Sequence, residues 1–117
     1  MTGVLLAGAV GCVLANAFEV AAKLARARFV LANCAEVGVD SAWIPYLAAL
    51  EGAGVVGLLL GLFGLPYLGL AAGLGLVVFF VGAVAVHVRT RVLHNIAFPA
   101  VFLLLPVAAV GHFAGRI

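Results

Sequence analysis

GLLLGLFGLPYLGLAAG, residues 57–73, carries no charge and breaks only once, at GLPY, residues 64–67. Glycine followed by Leu-Pro marks a tight turn, because proline suits a helix's first turn and disfavours helix in the residue before it. Apolar sequence continues on both sides, from about Ile44 to Phe63 and from about Tyr67 to Val88. Each run has about the 20 residues that cross a bilayer as a helix. Neither alternates polar and apolar residues as a half-buried strand would, and in lipid a helix satisfies its own backbone. GLLLG at 57–61 and GLAAG at 69–73 are small-xxx-small patterns, which let two such helices approach closely.

Two further runs of the same kind flank this hairpin, from about Val4 to Leu24 and from about Ile96 to Ala114. The whole chain has 117 residues, of which 68% are hydrophobic and 9% charged. Its mean hydropathy is +1.38. A soluble domain carries roughly 25% charged residues, so this chain cannot cover a water-facing surface. The reading is an all-α integral membrane four-helix bundle forming a single domain over residues 1–117. The first run lacks a basic stretch before it and is longer than a signal-peptide core, so it reads as a retained span. The net charge of +2 and the scattered basic residues argue against nucleic acid as a partner. Four short spans without an inverted repeat argue against a transporter.

The connections set the orientation. Lys23, Arg26 and Arg28 flank the first, Arg89 and Arg91 lie in the third, and Arg116 alone lies at the opposite side. The positive-inside rule then puts loops one and three in the cytoplasm and both termini outside. Trp43 and Tyr46 fall at the cytoplasmic interface and Tyr67 at the other. The first loop, Ala25 to Ala42, is too long for a plain connector, and its RFVLANCAEVGV is half apolar. It is expected to form a short interfacial or re-entrant helix between spans 1 and 2, with Asp40 or Ser41 capping the second span. Pro106 falls within the fourth span and is expected to kink it.

The rare polar residues carry the functional signal. In FEVAAKLAR, residues 18–26, Glu19 precedes Lys23 by four, the favourable order for a helical ion pair. Cys12, Asn16, Glu19 and Lys23 follow the steps of one helical stripe. An unpaired charge at depth costs at least ~3 kcal/mol on insertion scales, so Glu19 should face protein, while Lys23 can also snorkel to headgroups. Glu51 lies in the first half of the second span without a basic partner on its own helix turn. It must be protonated or partnered across helices. His87 closes the third span. With the topology above, Glu19, Lys23, Glu51 and His87 share the cytoplasmic half of the membrane as one polar layer. Each also has a plain structural reading: a structural ion pair for Glu19 and Lys23, an interfacial position for His87. His112 reads as interfacial at the far end of the last span. Cys12 and Cys34 have no spacing that suggests a disulfide, and no Cys/His metal pattern exists. Glu19, Glu51 and His87 as a metal site would lack diagnostic spacing.

Three motifs carry a resemblance: FEVAAKL at 18–24, VGVDSAWIPYLAALEGAGVVGLLLGL at 37–62, and AVAVHVRTR at 83–91. Their order is similar to that of the DoxX-like family of small bacterial four-helix membrane proteins. Val20 departs from it, standing where the family often shows a glycine before the lysine. The resemblance implies a multi-pass protein of the bacterial cytoplasmic membrane, with relatives tied to quinone-linked sulfur oxidation and redox defence complexes. Two functions follow as expectations. In one, the bundle binds a lipophilic molecule (quinone, isoprenoid or polyketide), with Glu19 and Glu51 as acid and base, His87 as proton shuttle or orienting donor, and Lys23 in the same catalytic group. Asn16, Arg89 and Trp43 would then help hold the ligand. Apolar walls favour the neutral carboxyl that a general acid needs. Such a site would suit proton-coupled quinone chemistry, isomerisation, epoxide opening or cyclisation. In the other, the chain is a non-catalytic membrane subunit or anchor, forming homo-oligomers or docking a redox protein. No haem, flavin or iron–sulfur signature occurs, so no intrinsic cofactor is evident and quinone is the one candidate.

Overall fold

The computed structural model describes residues 2–117. Its helices are α1 Thr2–Leu24, α2 Arg28–Glu36, α3 Ile44–Leu62, α4 Pro66–Arg89 and α5 Ala97–Ala114, with a 3-10 turn at Ser41–Trp43. Among the described residues there is no strand. α1, α4, α5 and the turn-plus-α3 segment are long and apolar enough to cross a membrane. The bundle measures 40 × 24 × 17 Å, enough to span a hydrocarbon core of about 30 Å. The chain is a membrane protein whose long helices contact the bilayer.

The four long helices form a ring in the order α1, α3, α4, α5, with α5 closing against α1. One end carries the α1–α3 and α4–α5 connections and five of the six basic residues, and is called here the basic end. The terminal end carries the α3–α4 turn and the last residues of α5. Large apolar side chains such as Phe63, Val78 and Leu104 point outward, as expected where the surroundings are lipid tails. Polar Asn16, Glu51 and His112 are buried instead.

Glycine positions fix the ring. A Cβ on Gly61 would stand 2.5 Å from the Gly69 Cα, so α3 and α4 meet backbone to backbone. The Phe113 ring of α5 fills the notch these two glycines leave. Gly57 packs on Ala72, but Gly73 turns to Val110 of α5, so GLAAG serves two partners rather than one. α5 continues through Pro106, whose ring is buried.

The helix ends are closed locally. Gly64 adopts φ 120°, and Leu65 N–H reaches back to the Leu60 carbonyl at 3.0 Å. At the basic end α1 and α4 stop differently. Arg26 and Arg91 take left-handed backbone, φ 54° and 58°, where glycine is the usual residue. The next N–H in each case returns to the helix: Ala27 to the Ala22 carbonyl, Val92 to the His87 carbonyl.

The expected short helix is α2. Its Val30 packs on Ala22 and Ile44, and Phe29 stacks on Phe18 at 6.3 Å. Two polar contacts tie it to the α4–α5 connection. Asn95 Nδ2 donates to Asn33 Oδ1 at 2.9 Å, and His94 Nε2 meets Glu36 Oε2 at 2.5 Å. α2 therefore bridges the two connections of the basic end. Asp40 accepts a bond from Ala42 N–H at 2.9 Å and caps the 3-10 turn that leads into α3.

Candidate functional site

Lys23 organises the polar residues at the basic end. It sits in the last turn of α1, and its stem leads the ammonium inward to α3. Nζ lies 2.6 Å from Glu51 Oε1, 3.5 Å from Glu19 Oε2, and 5.9 Å from the centroid of the Phe79 ring on α4. It thus engages two carboxylates and an aromatic face from three helices. The cross-helix partner that Glu51 requires is Lys23, which turns inward instead of snorkelling. Val20, one turn before Lys23, rests on Gly52 of α3, so α3 supplies the small residue at this crossing.

Exposure rises in steps along this chain of charges. Glu51 is wholly buried, the Lys23 side chain is 11% exposed and that of Glu19 is 21% exposed. Glu51 Oε2 is buried and has no hydrogen-bond partner among the described residues. The same holds for Asn16 Oδ1, two turns before Lys23 on the same stripe. Asn16 spends its Nδ2 on the Cys12 carbonyl at 2.8 Å and the Cys12 Sγ at 3.4 Å. Two acceptors therefore lie inside an apolar bundle with no donor. Buried acceptors in this condition call for a water or a ligand.

His87 is on α4 at the basic end, half-buried. Its Nδ1 is taken by the Ala83 carbonyl one turn back, at 2.8 Å. No bond joins it to Glu19, Lys23 or Glu51 among the described residues. Arg89 is exposed, and Trp43 is 60% exposed, leaning on Tyr46 at 5.8 Å. Among the described residues, no group of three His, Cys, Asp or Glu side chains has metal-binding geometry. Cys34, on the inner side of α2, is half-buried; burial pushes its thiol up, against the pull of the Lys23 charge.

His112, near the far end of the last span, is 7% exposed and packed into the terminal end of the bundle. Its burial comes from the turn of α5 that also sends Phe113 between Gly61 and Gly69, and no local pattern signals it. The Asn33–Asn95 and Glu36–His94 contacts were also invisible, since they join residues about 60 positions apart.

No curated protein and no solved structure gives a significant match to this chain. The family model described as the DoxX-like family matches residues 4–109, from the start of α1 to the last turns of α5, and covers every polar group at the basic end. The chain belongs to the DoxX-like family.

Proposed function

We propose that the Glu51–Lys23–Glu19 cluster is an intramembrane acid–base site for a lipophilic molecule that carries a hydroxyl, a quinol above all. The observation behind this reading is the divided Glu51 carboxylate. One oxygen is clamped by Lys23, and the other is buried, unbonded and free to accept a ligand's O–H. An ionisable residue in this setting is a functional hypothesis by default. Lys23 then links Glu51 to the more exposed Glu19, one turn back on α1, and gives the proton a second carboxylate to reach. His87 stands apart from this path with Nδ1 committed to Ala83, so its contribution is confined to the rim. Redox chemistry on a quinol would require an electron acceptor from a partner protein.

The test uses the purified protein in nanodiscs and a short-tailed ubiquinol as probe. Wild type should bind it, and Glu51→Gln should bind about tenfold more weakly, the size of one charge-assisted hydrogen bond. Circular dichroism and thermal unfolding should show the variant folded. Equal affinity in the two proteins would sink the acid–base reading and leave the cluster as the structural lock of a non-catalytic subunit.

The same reading sets the basic end in the cytoplasm of a bacterial inner membrane, because five basic residues flank the connections there against Arg116 at the other end. Cysteines introduced in a Cys34→Ser background check this. An impermeant maleimide should label Ala114→Cys on intact cells, and Ser41→Cys only after permeabilisation. The reverse pattern would invert the topology.

A further inference from the structure

A cavity of about 380 Å³ opens at the terminal end, away from Glu51. Its walls include Leu6 of α1, Gly61 and Leu62 of α3, Pro66 of α4, and then His112 and Arg116. A smaller hollow of about 100 Å³ beside it is lined by Thr2, Leu5 and Gly111, and again by His112 and Arg116. His112 and Arg116 are four apart, so they lie on one side of α5 and its continuation.

We propose that this cavity binds a phosphate-class oxyanion through His112 and Arg116. Three observations converge. His112 is 7% exposed, its ring lines both hollows, and neither ring nitrogen has a hydrogen-bond partner among the described residues. The ring is held from one side by Phe113, edge to face at 5.0 Å, which fixes its direction without satisfying it. Arg116 forms no ion pair with any acidic side chain among the described residues. It has none to reach: all four acidic residues, Glu19, Glu36, Asp40 and Glu51, lie at the basic end. The fork of a guanidinium and an imidazole N–H together match an oxyanion, and arginine suits phosphate in two-point geometry. The volume exceeds that of a bare phosphate and suits one that carries a further group. A lipid headgroup and free phosphate share this chemistry.

Maltoside micelles contain no phosphate and make the sources separable. The three histidines are labelled with ¹⁵N, and the His112 signals are assigned by their loss in His112→Gln. Inorganic phosphate is titrated into one sample and phosphatidylglycerol into another. The His112 ring signals should move with at least one of them, while those of His87 and His94 stay. A response to phosphatidylglycerol alone names a lipid headgroup as the ligand; a response to inorganic phosphate names the free anion. Arg116→Gln should weaken the response about tenfold. Leu6→Trp, which fills the cavity from α1, should remove it while thermal unfolding stays unchanged. Unmoved His112 signals in both titrations, or a response of full strength in Arg116→Gln, would overturn the proposal.

Discussion

Lys23→Met should destabilise the folded bundle by about 3–5 kcal/mol, the usual cost of removing one partner from a buried ion pair. The lysine holds Glu51 Oε1 at 2.6 Å in the one place where the carboxylate is wholly out of solvent. Without it, Glu51 keeps a buried oxygen pair with no donor and Glu19 loses its 3.5 Å contact as well. Adding Glu51→Gln to Lys23→Met should recover most of the loss, since the remaining group is neutral. Glu19→Gln alone should cost less than about 1 kcal/mol, because its contact is longer and part-exposed. Equilibrium unfolding in mixed micelles measures wild type, these three variants and Glu51→Gln, and the Lys23–Glu51 double-mutant cycle isolates the coupling. Additive losses for Lys23 and Glu51 would show that the pair contributes nothing specific to the fold.

Gly61→Leu should prevent the bundle from closing. Even the first added carbon of the side chain would stand 2.5 Å from the Gly69 Cα and 2.7 Å from the Phe113 ring. The nearest obstacle is backbone, so no rotamer change relieves it. Gly61→Ala should already cost about 1–3 kcal/mol by overpacking. Gly75 of α4 is the contrast, because a Cβ added there would meet nothing within 4 Å. Gly75→Ala should therefore be neutral or stabilising by up to about 1 kcal/mol, from the better helix propensity of alanine. Thermal unfolding of the three variants checks the difference. A Gly61→Leu protein as stable as Gly75→Ala would mean that α3 and α4 do not meet as described.

These two regions differ in how far the sequence discloses them. The spans are legible because lipid demands long uncharged runs, and GLPY at 64–67 marks its turn by chemistry that acts within four residues. The short helix in the first loop is legible for the same reason, from the apolar half of RFVLANCAEVGV. At the site, Glu19 and Lys23 are legible as neighbours four apart. That Lys23 lies closer to Glu51 than to Glu19 is not, because it depends on how α1 and α3 rotate against each other, 28 positions apart in sequence. His87 shows a different limit of scale. Its level in the membrane places it with the carboxylates, but its Nδ1 bonds the Ala83 carbonyl of its own helix, and the sequence does not show that choice. Burial of His112 follows from the Phe113 notch, which needs three helices to exist.

The two arginines that end α1 and α4 have a bearing on bilayer thickness. A left-handed conformation costs a residue with a side chain about 1 kcal/mol more than glycine. In exchange, helix termination and a fixed charge fall on one residue at each of the two positions. Neither helix can gain a further turn at that end without drawing a guanidinium toward the hydrocarbon. In a thinner or thicker membrane, mismatch must then be absorbed by tilt or at the opposite face, where the chain carries few charges. The level of Glu51 is thereby set against one headgroup layer alone, whatever the thickness of the lipid around it.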